Sequence, residues 1–193
     1  MIKEFQELLK EKQIDYYIVP TDDDHQSETV GKHFQSRAYL SGFTGSAGTL
    51  LVTLDSAYLW TDGRYFIQAA KQLEEGITLM KMAQKGVPTL LEFLAEHVKN
   101  DDVIGFDGQT MTCQFVLDLE EKLDVDYKIA NVDLMKEFWP DRPAMSCQKA
   151  YIYDAKYHGL SAHEKIEIIQ EYMKENDCQS PEDSLPAQPV LLL

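Results

Sequence analysis

Two kinds of apolar pattern alternate through residues 1–139, and this alternation restricts the fold more than any other feature of the sequence. The start, MIKEFQELLKEK, has apolar residues at helical spacing, whereas the next run, IDYYIV at 14–19, has the β-branched and aromatic residues typical of a strand. A short helix is predicted next. The runs GTLLVTL and SAYLWT that follow are strand-like, and the turn at Asp55-Ser56 between them predicts a β-hairpin.

The alternation continues after the hairpin. The sequence predicts a helix that opens at Arg64 and ends at Gly76, then strand ITLMKM, helix 88–100, strand VIGF, helix 112–123 and strand YKIANV. Strands and helices in this order predict an α/β domain, a mixed β-sheet flanked by helices, over residues 1–139.

The pattern changes after Trp139. Residues 140–159 contain two prolines and little periodicity, which is typical of a linker. Ser161-Ala-His-Glu164 has the capping-box pattern, and an apolar stripe follows it, so we expect 160–178 to be the first helix of an incomplete second domain. The proline-rich segment 179–193 is predicted to be disordered.

Composition and charge exclude several classes of function. The chain has 33 acidic and 18 basic residues, a net charge of −15, so a nucleic-acid backbone would be repelled. No run is long and apolar enough to span a membrane, and the charged start does not resemble a signal peptide, so we expect a cytoplasmic protein. Three widely spaced cysteines favour free thiols.

The glycines and serines of SGFTGSAG do not form a recognisable catalytic motif. Gly42, Gly45 and Gly48 precede a strand, whereas the glycines of a dinucleotide site follow one, so they are interpreted as shaping the backbone path into the strand. Ser41 and Ser46 lack the G-x-S-x-G pattern and are expected to bond local backbone. No catalytic residue is assigned in this chain.

Two acidic segments offer oxygen ligands without a metal-site spacing. Asp22-Asp23-Asp24-His25 and Glu28 lie close in sequence but lack the alternating positions of a calcium loop. His163-Glu164 lacks the second histidine of H-E-x-x-H, because position 167 is glutamate. No metal ligand is therefore assigned, and His25 is expected to cap local backbone.

Arg64 is the one side chain with a possible binding role. In YLWTDGRYF, residues 58–66, the turn at Asp62-Gly63 needs its glycine, but no turn needs the arginine. Two interpretations are open: the guanidinium pairs with Asp62 to support the fold, or it contacts a ligand.

The order of motifs resembles that of a known family. HQSE at 25–28, YLSGFTGSAGT at 39–49, LWTDGRYFIQAAKQ at 59–72, TLMKM at 78–82 and FWPDRP at 138–143 are similar to the amino-terminal region of Xaa-Pro aminopeptidases (aminopeptidase P) of the three-domain cytosolic type. The resemblance covers about residues 1–178. It implies a creatinase amino-terminal, ribonuclease H-like domain.

The resemblance also implies a parent function. Members of the family remove an N-terminal residue that precedes proline, using two divalent metals, usually manganese, in a carboxy-terminal domain that this chain lacks. It implies that Arg64 binds the Xaa-Pro peptide substrate, that the domain lines the active-site entrance and that the enzyme is a homodimer. This chain alone is then expected to be inactive. The alternative is a free-standing, non-catalytic dimerisation module derived from the same family.

Overall fold

The computed structural model describes residues 1–178, and the chain divides into a first compact unit, Met1–Ser146, and a second that begins at Cys147. The predicted disordered tail at 179–193 lies outside the described residues. The strands of the first unit are β1 Tyr16–Pro20, β2 Thr49–Thr53, β3 Ala57–Thr61, β4 Ile77–Lys81, β5 Val103–Phe106 and β6 Lys128–Asn131. Its helices are α1 Ile2–Lys12, α2 Ser36–Ser41, α3 Phe66–Gln72, α4 Leu90–His97, α5 Cys113–Lys122 and α6 Met135–Phe138.

The six strands form one mixed sheet in the order β4-β3-β2-β1-β5-β6. Strand β2 pairs antiparallel with both of its neighbours, and all other pairings are parallel. The hairpin between β2 and β3 is confirmed, since Thr49 lies opposite Trp60 and Val52 opposite Ala57.

Alternating side chains of strands β1 to β5 enter two separate cores, one on each face of the sheet. In β1, Tyr17 and Val19 pack on one face with α1, α2, α3 and α6, whereas Ile18 packs on the other face with α4 and α5. This period of two is what a sheet covered by helices on both sides requires. The predicted mixed sheet with flanking helices is therefore confirmed.

Helix α6 is the element that the sequence did not predict. Its four residues are too few to show a period, and its first turn depends on a distant side chain. The hydroxyl of Tyr17 accepts the backbone N–H of Leu134 (3.1 Å) and donates to the carbonyl of Val132 (2.7 Å). Strand β1 therefore fixes the start of α6 by tertiary contact.

The segment after α6 is bonded to the first unit as far as Pro143. The side chain of Arg142, 8% exposed, pairs with Asp133 and donates to the carbonyl of His33, whose ring Nδ1 lies 2.7 Å from the carbonyl of Pro143. Residues 142 and 143, which make these bonds, lie within the segment 140–159 that was predicted to be a linker. The functional domain boundaries at 139, 159 and 178 stay a prediction.

The second unit contains the predicted helix with its capping box. Helix α7, Ala162–Glu175, begins after Ser161, whose hydroxyl accepts the N–H of Glu164 while the Glu164 side chain accepts the N–H of Ser161. No residue of α7 is buried, and Ile166, Ile168 and Tyr172 are about half exposed.

Candidate functional site

The site is built on the turn that follows strand β3. The carboxylate of Asp62 accepts the backbone N–H of Arg64 (2.9 Å), and the carbonyl of Asp62 accepts the N–H of Tyr65 (3.0 Å). These bonds hold residues 62–65 in a turn, so α3 begins at Phe66 and not at Arg64. The predicted helix start was wrong because aspartate side chains compete for backbone N–H groups that a helix would otherwise use. Its predicted end at Gly76 was also wrong, since α3 ends at Gln72.

The side chain of Arg64 forms a two-point ion pair within this turn. Its Nε donates to Asp62 Oδ1 (3.0 Å) and its Nη2 donates to Asp62 Oδ2 (2.8 Å). The hydrogen bond from Arg64 lowers the pKa of Asp62, and the same bond raises the pKa of Arg64, to which the charge of Glu28 adds. The Arg64 side chain is 65% exposed, and its Nη1 donates to none of residues 1–178. The guanidinium is thus both oriented and accessible.

Tyr65 links this turn to the glycine-rich loop. The Arg64 guanidinium carbon lies 5.2 Å from the centre of the Tyr65 ring, a cation–π distance. The Tyr65 hydroxyl lies 2.7 Å from Ser46 Oγ, and the ring packs edge-on against Phe43, with 5.8 Å between ring centres. Ser46 was expected to bond local backbone, but its hydroxyl bonds this side chain. Ser41 behaves as expected, since its hydroxyl bonds the backbone of Arg37 and Phe43.

A buried arginine, Arg37, which the sequence analysis missed, bonds the backbone of the glycine-rich loop. Arg37 is 4% exposed and donates from Nε to Thr21 Oγ1 (2.6 Å), from Nη1 to the carbonyl of Phe43 (2.7 Å) and from Nη2 to the carbonyl of Gly45 (2.5 Å). None of these acceptors is a carboxylate. Burial lowers the pKa of Arg37 to about 10. No spacing in the sequence marks this role, because two of the three acceptors are backbone carbonyls.

The glycines of the loop allow close backbone approach, as predicted. Gly42 has a φ of 73°, and a Cβ there would lie 2.6 Å from the carbonyl oxygen of Gln72. A Cβ on Gly45 would lie 2.7 Å from the Tyr65 ring. The loop therefore packs directly on α3 and on Tyr65.

Comparison with known proteins identifies the family of this domain. Residues 1–138 match the Creatinase/Prolidase N-terminal domain family. The chain belongs to this family. The creatinase/prolidase N-terminal domain of this chain thus contains the whole sheet, the Asp62-Arg64 turn and the loop held by Arg37.

Relatives with this domain are peptidases of much greater length. The chain is 42% identical over 159 residues to Aminopeptidase P2 of Arabidopsis thaliana, which covers 79% of this chain and 22% of that protein. It is 36% identical over 177 residues to a probable Xaa-Pro aminopeptidase P of Pyrenophora teres f. teres, covering 90% of this chain and 27% of that protein. The chain therefore spans about a quarter of the length of the curated relatives it matches.

A solved structure confirms the fold of the creatinase/prolidase N-terminal domain. The X-prolyl aminopeptidase of Caenorhabditis elegans, described as a cytosolic enzyme with a di-nuclear active site, superimposes with a TM-score of 0.70 at 32% identity. The match covers 86% of this chain and 28% of that one. The fold predicted from the motifs is therefore confirmed.

The acidic loop of the domain does not fit a two-metal centre. Within residues 1–178 the one grouping of three candidate ligands is Asp23, Asp24 and His25. Asp23 Oδ1 already accepts the N–H groups of His25 (2.9 Å) and Ser27 (3.0 Å), of which the bond from Ser27 contributes most to lowering the pKa of Asp23. The side chain of His25 is 80% exposed, and its Nδ1 lies 2.7 Å from Asp24 Oδ1, so it contacts a carboxylate and not the local backbone that it was expected to cap. Two-metal hydrolytic sites need ligands shared between ions about 3.5–4 Å apart, which this grouping cannot supply.

The remaining sequence signals have structural roles. His163 pairs with Glu167 across one turn of α7 (3.3 Å), and Glu164 completes the capping box. None of the three cysteines forms a disulfide within residues 1–178. None of the helices in residues 1–178 combines the length and apolar character needed to cross a membrane.

Proposed function

We propose that this chain is the amino-terminal part of a Xaa-Pro aminopeptidase, which removes the N-terminal residue of a peptide when the second residue is proline. The proposal is supported by the family match over residues 1–138 and by two relatives that extend well beyond the aligned region, an aminopeptidase P2 and a probable Xaa-Pro aminopeptidase P. The parent enzyme is expected in the cytoplasm, as described for the relative from Caenorhabditis elegans.

Catalysis is assigned to the part of the parent that this chain does not contain. The relative from Caenorhabditis elegans has a di-nuclear active site, which favours two divalent metals, in our proposal manganese, in the parent. The acidic loop at 23–25 does not fit such a centre, so no step is assigned to it. The 193-residue chain alone is proposed to be inactive.

Arg64 is proposed to contact the bound peptide at the active-site entrance. The observation that carries this proposal is that the guanidinium is fixed on two nitrogens by Asp62 yet 65% exposed, with Nη1 unused by residues 1–178. A planar cation held in this way can donate to a peptide carbonyl or carboxylate without first losing side-chain freedom. The ion pair and the substrate contact are therefore compatible.

The test is kinetic and uses the full-length parent enzyme. Arg64→Ala should lower kcat/KM for a Xaa-Pro peptide about tenfold or more, because a hydrogen bond from a charged donor is lost. Arg64→Lys should restore only part of this, since an ammonium group cannot reproduce the planar fork. Metal content should not change.

A matched control separates substrate contact from a general charge effect. Lys128 is also 65% exposed and also pairs with an aspartate, Asp101, at 3.0 Å. Lys128→Ala should leave kcat/KM unchanged. Normal peptide kinetics for Arg64→Ala, together with a destabilised 193-residue chain, would return Arg64 to a purely structural role.

A second candidate function is a free-standing dimerisation module. The observation that favours it is the half-exposed apolar set Ile166, Ile168 and Tyr172 on α7. Self-association should then appear by sedimentation in high salt, where the net charge of −15 is screened. A strict monomer at high concentration would contradict the proposed homodimer surface in this chain.

A further inference from the structure

We propose that Arg37 is a positioning residue for Arg64, acting through the 43–46 loop and the ring of Tyr65. The consequence for peptide hydrolysis rests on the function proposed above for Arg64. The mechanical link itself involves only residues of this chain and is testable without substrate.

Arg37 lies in an unusual environment for a cation. The side chain is 96% buried, and its three bonded nitrogens all donate to neutral oxygens of Thr21, Phe43 and Gly45. Burying a cation without a carboxylate is costly, and a fold that needed only volume at this position would accept an apolar side chain. What the guanidinium provides is a rigid fork that fixes three oxygens from two segments at once, which a lysine cannot do.

The 43–46 loop that Arg37 bonds is in contact with Tyr65. Arg37 holds the carbonyls of Phe43 and Gly45, so it sets the position of the Phe43 ring and of Ser46. Both of these touch Tyr65, one through an edge-on ring contact and the other through the 2.7 Å hydrogen bond to its hydroxyl. Gly45 leaves no gap, because even a Cβ there would collide with the Tyr65 ring. The ring of Tyr65 therefore follows the loop.

Tyr65 in turn contacts Arg64. The Tyr65 ring lies 5.2 Å from the Arg64 guanidinium carbon, and the N–H of Tyr65 is bonded to Asp62, the same residue that pairs with Arg64. One face of the guanidinium and the turn that carries it thus both depend on Tyr65. If the loop loses its anchor, the Arg64–Asp62 pair should loosen even though neither residue touches Arg37.

If Arg37 had a purely structural role, replacing it would lower stability without changing Arg64. Arg142 is the matched control for this comparison. Arg142 is also buried, at 8% side-chain exposure, and also bonds a backbone carbonyl, but its bonds go to His33 and Asp133 and not to the 43–46 loop. Replacing either arginine by lysine should cost stability. Only the change at Arg37 should alter Arg64.

The experiment uses the 193-residue chain labelled with ¹⁵N. The sequence contains three arginines, so the Nε–H region of the spectrum contains three signals, and Arg64→Lys identifies one of them. The measured quantity is the solvent-exchange rate of the Arg64 Nε–H, which the bond to Asp62 slows in the native chain. Exchange should rise about threefold or more in Arg37→Lys and in Tyr65→Phe, a factor expected when one neutral hydrogen bond is lost. It should be unchanged in Arg142→Lys.

Two further variants make the outcome decisive. The double variant Arg37→Lys/Tyr65→Phe should change exchange no more than the larger single change, because both act on the same link. If Arg37→Lys does not fold, Thr21→Val removes one acceptor of Arg37 and should raise the exchange rate of Arg64 by the same route. A folded Arg37→Lys or Thr21→Val chain with unchanged Arg64 exchange, or an equal rise in Arg142→Lys, would overturn the proposal.

The kinetic outcome in the parent enzyme is separable from this result. If Arg64→Ala leaves kcat/KM unchanged, the proposed function of Arg64 fails, while its mechanical dependence on Arg37 still stands by the exchange data. If Arg64→Ala slows peptide cleavage but the exchange rate of the Arg64 Nε–H is unchanged in Arg37→Lys, only the positioning proposal fails. If both hold, Arg37→Lys should lower kcat/KM with no change in metal content.

Discussion

The hydroxyl of Tyr17 offers the sharpest test of how the first unit is held together. It is buried, with 1% of the residue exposed, and it bonds two backbone groups more than 110 positions away, the carbonyl of Val132 and the N–H of Leu134. Tyr17→Phe removes only the oxygen. The edge-on contact of the ring with Phe5, at 5.5 Å between centres, should remain.

The cost follows from what the missing oxygen leaves behind. The N–H of Leu134 has no other partner in residues 1–178, and Leu134 is 2% exposed, whereas Val132 is 36% exposed. A buried group left without its partner costs about 1–3 kcal/mol, so we expect the free energy of unfolding to fall by about 2 kcal/mol. With a urea m-value of about 2 kcal/mol/M, the midpoint should fall by about 1 M.

Tryptophan fluorescence during urea unfolding is a suitable assay. Both tryptophans, Trp60 and Trp139, lie in the first unit, so the signal reports the unfolding of that unit. Tyr127→Phe is the matched control, because the Tyr127 hydroxyl is buried without a hydrogen-bond partner in residues 1–178. Removing that oxygen should leave stability unchanged or raise it by up to about 1 kcal/mol.

The pair of variants can refute the reasoning directly. A Tyr17→Phe midpoint within about 0.2 M of the native chain would mean that the two bonds contribute almost nothing net. A Tyr127→Phe chain destabilised as much as Tyr17→Phe would mean that the loss reflects the ring and not the hydroxyl.

Three other predictions follow from the same structure. Burial raises the pKa of Asp107, so its charged form is disfavoured in the folded state and stability is lost as pH rises through that pKa; Asp107→Asn should therefore gain stability relative to the native chain between about pH 3 and pH 7, and a constant difference in urea titrations would contradict this. Gly42→Ala should lower the thermal midpoint clearly, because the new Cβ meets the carbonyl of Gln72, and an unchanged circular-dichroism melt would count against the close approach. The purified 193-residue chain with added manganese should release no amino acid from a Xaa-Pro peptide, as measured by chromatography of the products. Turnover would contradict the proposal that catalysis needs the remainder of the parent enzyme.

Elements with local periodicity were predictable from the sequence, and elements that depend on tertiary contact were not. The hairpin of β2 and β3 and the capped helix α7 have their patterns within a few residues. Helix α6 has no such pattern, because its first turn is fixed by Tyr17, which lies 117 positions away in the sequence. The start of α3 was misplaced by two residues, since the carboxylate of Asp62 holds the preceding turn.

The candidate site was predicted in part for the same reason. Arg64 stands out in the sequence because its turn does not require it. Of the two interpretations left open there, pairing with Asp62 is observed, whereas contact with a ligand stays a prediction. Arg37 gave no signal. Its acceptors are one hydroxyl and two carbonyls brought together by the loop, and carbonyls are carried by every residue of a sequence.

The pairing of β1 has a consequence for synthesis on the ribosome. One edge of this strand pairs with β2, which ends at Thr53, whereas the other edge pairs with β5, which ends at Phe106. At about 5–20 residues per second the nascent chain carries β1 with one open edge for about 3–10 s before its parallel partner is made. An open strand edge can pair with other chains, so the nascent chain is exposed to mispairing throughout this interval.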